Sequence, residues 1–231
     1  MPQIFQNLNR KKRFKKSSQK WLLRQINDQF VEKAKIEGYR SRATFKIIEI
    51  DEKFKIFKKN KIVIDLGCAP GGWSQYAVEK VGAGNIIAID LLPIEPIPGV
   101  SFFQQDFLEE NASTKIREEL SKIPYNPNNL CDIVMSDMAS NSCGDHDTDH
   151  LRIIILLEEA LNLATQILRK NGCFIGKIFQ GGSSSDILKK LRQNFSQVKY
   201  FKPNSSRKDS SETYLIAWGF KIDSQKNSSR P

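Results

Sequence analysis

Short apolar runs alternate with longer helical patterns through most of this 231-residue chain, and this alternation limits the fold more than any other feature. Strands that alternate with helices form a parallel sheet with helices on both faces. The first run is continuously apolar, as in a strand that is covered on both faces. We therefore predict an α/β domain whose first five strands lie in KIVIDLG (61–67), NIIAIDL (85–91), VSFFQQDF (100–107), CDIVMSDM (131–138) and GCFIGKIF (172–179).

Apolar residues at helical spacing predict the helices around these strands. The first begins near Trp21 and ends at Gly38, and the second begins at Ser41 as its N-cap. Three more helices are predicted in WSQYAVEKVG (73–82), in LRIIILLEEALNLATQILRKNG (151–172), where Asn171-Gly172 ends the helix, and in DILKKLRQNF (186–195), which serines 183–185 can cap.

The last two apolar runs, VKYFKP (198–203) and TYLIAWGF (213–220), follow each other without a helical pattern between them. Parallel neighbours in a sheet need a crossover connection of a dozen or more residues. The final two strands are therefore predicted to be antiparallel to each other.

The stretch DLGCAPGGW (65–73) lies where the first strand should meet its helix. Its proline and three glycines stop the strand, and glycines leave backbone that a ligand can approach closely. In open α/β sheets, ligands bind beyond the carboxyl ends of the strands. We therefore take this turn as the first candidate element of a binding site.

Three aspartates end the next three strands and should reach the same edge of the sheet: Asp90, Asp106 and Asp137. A single Asp at a strand end is commonly a cap or turn former. Three of them around a glycine turn favour a nucleoside cofactor, since a carboxylate can accept hydrogen bonds from both hydroxyls of a ribose.

The spacing of the turn separates two classes of cofactor. A dinucleotide site needs G-x-G-x-x-G, whose amides and helix N-terminus hold the pyrophosphate. Here the pattern is G-C-A-P-G-G, and Pro70 has no amide hydrogen to offer a phosphate. S-adenosylmethionine, which has a ribose and no phosphate, is therefore favoured, with NAD as the second possibility.

Lys177 lies inside an apolar run that should be a buried strand. A buried, unpaired ammonium is costly, so the side chain either extends from the strand end to water or faces a carboxylate. Facing Asp137 on the neighbouring strand, it could act as a general base. Lys46 and Glu212 are two further ionisable residues in apolar or strand-forming surroundings.

The N-terminal segment is strongly basic. Residues 1–27 contain eight Lys or Arg and no Asp or Glu, in a chain whose net charge is +10. Such a block is typical of a disordered arm that binds a polyanion, although a solubilising tail or a targeting peptide is also possible. Nucleic acid is the favoured partner. We divide the chain into this arm (1–20), one domain (21–220) and a disordered tail (221–231).

The compartment follows from what the sequence lacks. It has no 18-residue apolar stretch to span a membrane and no apolar core of a signal peptide after the basic segment. Its four cysteines are scattered without a C-x-x-C pair, which indicates a reducing compartment. We therefore expect a cytoplasmic protein without disulfides and without a membrane partner.

Two further motifs look like ligand sites but are better explained as caps and turns. In CGDHDTDH (143–150) a cysteine and two histidines have metal-like spacing, but a zinc site needs a fourth ligand. GGSSSD (181–186) resembles a phosphate-binding loop without its lysine. We therefore predict no metal site.

The combination of motifs resembles the heat-shock RNA ribose methyltransferases of the RrmJ/FtsJ family. The similarity runs from about Trp21 to Gly219. Its seven stretches, in order, are GYRSRATFK, DLGCAPGGWSQY, IDLLPIEPIPGV, QQDF, VMSDMASN, GKIFQGG and SSRKDSSETY.

This resemblance implies a Rossmann-like fold with a seven-stranded, mostly parallel sheet of order 3-2-1-4-5-7-6 and an antiparallel last strand. The family's catalytic tetrad falls on Lys46, Asp137, Lys177 and Glu212. Its contacts with S-adenosylmethionine fall on Gly71, Trp73, Asp90, Asp106 and Asp137.

The implied reaction is methyl transfer to the 2′-hydroxyl of a ribose in RNA. Lys177 would act as the base or as the group that orients the hydroxyl, and Lys46 would position the hydroxyl or a neighbouring phosphate. The chain looks most like the bacterial enzymes that methylate a uridine of large-subunit (23S) ribosomal RNA, and we expect a monomer that acts on that subunit or its precursor.

Other members of the family act on tRNA or mRNA caps, and two other classes of protein remain as alternatives. A non-catalytic RNA-binding assembly factor would keep the arm but would not need the four residues of the tetrad. An NAD-dependent oxidoreductase would keep the fold but would have no use for the arm.

Overall fold

The computed structural model describes residues 26, 28–139, 144–180, 185–207 and 209–222. Their seven strands form a single sheet. In chain order they are β1 (Val63–Leu66), β2 (Ile86–Asp90), β3 (Val100–Gln104), β4 (Cys131–Ser136), β5 (Leu168–Phe179), β6 (Phe195–Phe201) and β7 (Glu212–Phe220). The predicted arm (1–20) and nearly all of the predicted tail lie outside the described residues.

The strand order is β3-β2-β1-β4-β5-β7-β6, which confirms the order that the resemblance implied. Strands β1 to β5 are all parallel to one another. β7 is antiparallel to β6, as the missing helical crossover predicted, and it is antiparallel to β5 as well. This places Glu212, the first residue of β7, opposite Phe179 at the carboxyl end of β5.

Six helices flank the sheet in the described part of the chain. They are α1 (Gln29–Ile36), α2 (Thr44–Phe54), α3 (Gly72–Val81), α4 (Ala112–Lys122), α5 (His146–Ile167) and α6 (Ser185–Asn194). The bounds of α6 match the predicted helix closely. No helix among the described residues is both long and apolar enough to cross a membrane.

The hydrophobic core has two layers, one on each face of the sheet, because successive strand side chains alternate between the faces. On one face α4, α5 and α6 pack through residues such as Ile116, Leu161 and Leu191. On the other face α2 and α3 pack through Ile47, Ile50, Trp73 and Tyr76. This confirms the prediction of a parallel sheet with helices on both faces.

One predicted helix start is wrong, and another predicted helix is interrupted. Ser41 is not the N-cap of the second helix, because the chain turns once more and Ala43 occupies that position without a side-chain hydrogen bond. The predicted start of the first helix near Trp21 lies outside the described residues, but the predicted helix is interrupted within them. Asp28 interrupts it and caps α1 by accepting a hydrogen bond from the Phe30 amide. Its predicted end at Gly38 is confirmed, since α1 ends at Ile36 and Gly38 has a φ of +74°.

The long helix ends earlier than predicted. It stops at Ile167, and Leu168 already pairs with Cys131 in the sheet. Leu168 is completely buried, and Arg169 binds the Leu130 carbonyl and the Asp132 carboxylate. These contacts stabilise an extended chain where the sequence pattern continued a helix.

Helix α4 was not predicted. Its apolar positions Ala112, Ile116 and Leu120 recur every four residues and are all completely buried. That spacing was a usable helical signal. It was missed because the remaining positions of the segment are almost all polar.

Candidate active site

The glycine turn (residues 67–72) connects β1 to α3 at the carboxyl edge of the sheet. Gly67 and Gly71 have φ angles of +74° and +103°, which glycine adopts without strain. A Cβ atom on Gly67 would lie 2.4 Å from the side chain of Met138, and one on Gly71 would lie 2.7 Å from Ile97. The turn therefore requires glycine for its conformation and for its close packing.

Asp90 ends β2 directly beside this turn. One carboxylate oxygen accepts a hydrogen bond from the Ala69 amide (2.8 Å), and the other accepts one from the Leu92 amide (2.8 Å). Each carboxylate oxygen can accept about two hydrogen bonds, so acceptor capacity remains for a ligand. The structure thus places Asp90 next to the glycine turn, as predicted.

Asp106 lies two residues beyond the end of β3 rather than on the strand. Its carboxylate accepts a hydrogen bond from the Leu108 amide at 2.9 Å, which forms a tight turn. The Gln105 amide bonds to the Asp90 carbonyl oxygen, so the segment that carries Asp106 is tied to the end of β2. Asp106 therefore lies in the loop after β3, beside the end of β2 and at the same edge of the sheet as Asp90.

Trp73 is in the first turn of α3, but its indole ring points into the protein. The residue is 3% exposed, its Nε1 donates to the Ala43 carbonyl oxygen (2.9 Å), and its ring packs 5.6 Å from the Tyr214 ring. These contacts make the side chain a core anchor that joins α3 to α2. Only the backbone of Trp73 is left to contact a ligand at the helix N-terminus.

The four predicted tetrad residues come together in one cluster. The Lys177 ammonium lies 3.0 Å from a carboxylate oxygen of Asp137 and also donates to the Asp137 carbonyl oxygen. The Lys46 ammonium lies 2.6 Å from Glu212 and 4.0 Å from Asp137. Both lysine side chains are at least nine-tenths buried, so the pairing offsets the cost of desolvating them.

Tyr214 joins the two carboxylates of the cluster and was not predicted. Its hydroxyl oxygen lies 2.8 Å from Asp137 and 3.1 Å from Glu212, close enough to donate to either. Burial, reinforced by the two carboxylates, raises the pKa of Tyr214 well above its usual value, so the phenol keeps its proton. The two-residue period of β7 places residues 212 and 214 on one face and could have indicated this position.

The charge state of Asp137 depends on its neighbours. Burial alone would raise its pKa, but the ammonium groups of Lys177 and Lys46 and the Tyr214 hydroxyl hold the pKa below its usual value. The carboxylate therefore stays ionised at neutral pH although it is buried.

Asp65 is a second buried carboxylate at this edge, and no described residue places a cation beside it. It accepts a hydrogen bond from the Ser74 hydroxyl at 2.6 Å, while its other oxygen has no partner among the described residues. Burial, together with the negative charges of Asp137 and Asp90, raises the pKa of Asp65 to about 7. In the sequence this residue stood out only as part of the turn motif.

A loop between β6 and β7 fixes the position of α2, which carries Lys46. Glu49 accepts hydrogen bonds from the amides of Asn204 (2.6 Å) and Ser205 (2.8 Å). Arg42 donates to the Ser205 carbonyl oxygen at 2.6 Å. The helix and the strand that supply the Lys46–Glu212 pair are therefore joined by a second set of bonds.

The metal-like motif at 143–150 is only partly described by the structure. Cys143 and the His146 side chain lie outside the described residues, and His150 is buried with neither ring nitrogen bonded to a described residue. Within the described ranges, no group of three His, Cys, Asp or Glu side chains is placed to hold a metal ion. Of the predicted serine cap at 183–185, residues 183 and 184 also lie outside the described residues, and Ser185 is the first residue of α6.

Comparison with known proteins agrees with this geometry. Residues 39–220 match the model of the family described as FtsJ-like methyltransferase. The chain is 51% identical over 205 residues to a protein of Novosphingobium aromaticivorans named ribosomal RNA large subunit methyltransferase E, with 89% of each chain covered. A protein of the same name from Rickettsia bellii is 52% identical over 207 residues, covering 87% of this chain and 88% of the relative.

A solved structure shares the architecture. The crystal structure described as that of a ribosomal RNA methyltransferase from Plasmodium falciparum superposes with a TM-score of 0.68 at 32% identity. The match covers 79% of this chain and 98% of that one.

Proposed function

Since the chain belongs to the FtsJ-like methyltransferase family, we propose that it transfers the methyl group of S-adenosylmethionine to a ribose 2′-hydroxyl of large-subunit ribosomal RNA. The relatives that are about half identical are named ribosomal RNA large subunit methyltransferase E, which supports large-subunit ribosomal RNA as the substrate. One structural observation carries the proposal: Lys46, Asp137, Lys177 and Glu212 form a single buried cluster at the edge where the glycine turn lies.

The residues of the turn fit S-adenosylmethionine. The glycine turn has no phosphate-binding pattern, and Asp90 beside it keeps acceptor capacity for the two ribose hydroxyls. Asp106, on the adjacent loop, would lie near the base. The Gly71 amide already donates to the Cys68 carbonyl oxygen, but the first turn of α3, at Trp73, has amides without intrahelical partners that suit the carboxylate of the methionine part. Bound there, the cofactor supplies a methyl group already activated by its sulfonium.

Lys177 is our candidate for the group next to the reacting hydroxyl. Its ammonium has three donors, of which the Asp137 carboxylate and carbonyl oxygens take two. As a base in its neutral form, Lys177 would accept the hydroxyl proton as the ribose oxygen bonds to the methyl carbon, while the bond from that carbon to sulfur breaks and its electron pair stays on sulfur. Asp137, 3.0 Å away, then stabilises the ammonium that forms.

Lys46 and Glu212 are proposed to position the substrate rather than to transfer a proton. The Lys46 ammonium is held at 2.6 Å by Glu212 and reaches toward Asp137 from α2. A cation at this place can bind the hydroxyl or the adjacent phosphate of the RNA, and alignment of this kind contributes strongly to rate. Tyr214 fixes the geometry of both carboxylates.

The remaining proposals concern the context of the site. We propose that residues 1–20 form an arm on RNA phosphates, that 21–220 form the single methyltransferase domain, and that 221–231 form a disordered tail. Seven of the basic residues lie within positions 1–20, and there are no acidic ones there. The substrate is proposed to be a uridine ribose in the large subunit or its precursor, and the enzyme to be a cytoplasmic monomer.

Transfer of a labelled methyl group tests the function directly. Methyl-labelled S-adenosylmethionine is supplied with 23S ribosomal RNA, large subunits, tRNA or capped mRNA in separate reactions. We expect label in the ribosomal RNA, at a position where alkaline hydrolysis fails because the 2′-oxygen is blocked. Label in tRNA or in mRNA caps would show that the substrate is one of those RNAs and not ribosomal RNA. Binding of RNA without transfer of the methyl group would instead indicate an assembly factor. Reduction of added NAD would indicate an oxidoreductase.

A further inference from the structure

Arg40 joins two segments that surround the proposed cofactor site. It lies between α1 and α2, outside both helices. Its guanidinium donates to the Pro70 carbonyl oxygen (3.3 Å) in the glycine turn. It also donates to the carbonyl oxygens of Glu95 (2.5 Å) and Pro96 (2.8 Å) in the loop that follows β2 (residues 91–99, the β2 loop).

The backbone of Arg40 is itself anchored to α3. Its amide donates to the Gln75 side chain at 3.1 Å, and the same side chain donates to the Gly38 carbonyl oxygen at 2.8 Å. The backbone next to Arg40 is therefore anchored to α3, the helix that follows the glycine turn, while the Arg40 side chain binds both loops.

The β2 loop depends on outside contacts for its shape. It contains three prolines, which lack amide donors, and it forms no helix or strand. At its start, the Leu92 amide donates to the Asp90 carboxylate and the Gln104 side chain donates to the Leu91 carbonyl oxygen. At its end, the Gly99 carbonyl oxygen accepts from the Gly84 amide. In its middle, the carbonyl oxygens of Glu95 and Pro96 are bonded by Arg40.

The same region is closely packed. A Cβ on Gly71 would lie 2.7 Å from Ile97 in the β2 loop and 3.2 Å from the Arg40 guanidinium. The glycine turn, Arg40 and the β2 loop are thus in direct contact at the residue that the resemblance assigns to the cofactor.

We propose that Arg40 is a positioning residue for cofactor binding. It fixes the spacing between the glycine turn and the β2 loop, so that Gly71 and Asp90 contact the cofactor together. This inference rests on the proposed function, because it assumes that a nucleoside cofactor binds there.

Arginine suits this role better than lysine. The guanidinium is a planar fork with five donors, and here it serves three carbonyl oxygens in two segments. A lysine at this position keeps the charge but loses the fork. Arg40→Lys therefore separates the effect of geometry from that of charge.

Two ligands separate positioning from direct contact. S-Adenosylmethionine has a carboxylate that Arg40 could bind directly, whereas 5′-methylthioadenosine keeps the adenosine part and has no carboxylate. A residue that positions the loops affects both ligands, while one that binds the carboxylate affects only the first.

The experiment is calorimetric titration of both ligands into the full chain and into the variants Arg40→Lys, Arg40→Ala and Arg117→Ala. Arg117 is the matched control, since it is an exposed arginine on α4 that bonds to Gln166 away from the site. We expect both Arg40 variants to bind each ligand about tenfold more weakly, the loss typical of one or more charge-assisted hydrogen bonds. The rate of methyl transfer at saturating cofactor should stay within about twofold of the wild type, since the loops do not carry Lys177.

Three results would overturn the proposal. Unchanged affinity in both Arg40 variants would show that the bonds do not matter for the site. Weakened binding of S-adenosylmethionine alone, restored by Arg40→Lys, would make Arg40 a direct ligand of the carboxylate. A wild-type chain that binds neither ligand would refute the proposed function itself. If Arg40→Ala does not fold, Arg40→Lys decides among the same outcomes.

Discussion

The two halves of the site are built differently. The cofactor half, around Gly71 and Asp90, consists of turns whose hydrogen bonds connect backbone amides to nearby side chains and carbonyls. The catalytic half consists of four charged side chains that come from α2, β5, β7 and the end of β4. The first half is therefore fixed mainly by hydrogen bonds of the backbone, and the second by ion pairs between side chains from elements far apart in the sequence.

The two halves also differ in electrostatics. In the catalytic half two buried ammonium groups are paired with two carboxylates, so removal of one partner leaves an uncompensated charge. In the cofactor half, Asp65 lies buried without a cation from any described residue. Substitutions in the catalytic half should therefore affect turnover, and those in the cofactor half should affect affinity or the pH dependence of stability.

The largest expected effect is on turnover. Lys177→Met should lower the rate of methyl transfer about 10²- to 10⁴-fold, the usual contribution of a positioned acid or base. Affinity for S-adenosylmethionine should change little, because Lys177 faces the hydroxyl. Single-turnover kinetics and calorimetry measure the two quantities.

Lys190→Met is the control for Lys177→Met, since it also removes a lysine from an ion pair, here with Glu158 on the protein surface. It should turn over like the wild type. Wild-type turnover in Lys177→Met would show that Lys177 has no part in methyl transfer. It would also contradict the assignment of turnover to the catalytic half and of affinity to the cofactor half.

Asp90→Ala should have the opposite effect. We expect weaker cofactor binding, by about 10- to 150-fold, because hydrogen bonds to a charged group contribute about 1.5–3 kcal/mol. Turnover at saturating cofactor should remain near that of the wild type. Calorimetry measures the affinity, with Glu79→Ala as a control that removes an exposed carboxylate on α3. Equal affinity in Asp90→Ala and the wild type would place the ribose elsewhere.

Asp65→Asn should change how stability depends on pH. The pKa of Asp65 is about 7 in the folded protein, raised first by burial and then by Asp137 and Asp90, against a usual value of 3.8. Between these values the folded state holds a proton that the unfolded state has released, so stability falls as pH rises toward 7. The free energy of unfolding of Asp65→Asn, measured relative to that of the wild type, should therefore be about 1–4 kcal/mol higher at pH 8 than at pH 5.

Urea unfolding of Asp65→Asn and wild type at the two pH values gives the measurement. Asp137 supplies the contrast, since its pKa is lowered and its contribution disappears as pH falls. A stability gap that is the same at pH 5 and pH 8 would contradict the assignment of a protonated Asp65.

The smallest expected effect concerns the arm, which should touch neither half. Deletion of residues 1–20 should weaken RNA binding and lower its log–log salt slope by about 0.7 for each RNA phosphate that the arm neutralises. Cofactor affinity and the melting temperature should stay the same. An unchanged slope with a lower melting temperature would show that the segment packs on the domain instead.

Features that depend on short stretches of sequence were predictable from the sequence. The glycine turn follows from residues that stop a strand, and the strand-end positions of Asp90 and Asp137 follow from periodicity. The antiparallel β6 and β7 follow from a connection too short for a crossover. In each case the conformation depends on neighbours within about ten residues. The pairing of Lys177 with Asp137 was one of two possibilities for a lysine in a buried strand, whereas the membership of Lys46 and Glu212 in the same cluster came only from the resemblance to a family.

Tertiary packing decided the remaining features. Leu168 left the helical pattern because burial and strand pairing outweighed its propensity, and Asp28 broke a helix whose apolar pattern continued. Periodicity along the chain carries no information about which distant groups meet. The position of the Tyr214 hydroxyl between two carboxylates, and the lack of a described cation beside Asp65, are therefore set by how the elements pack.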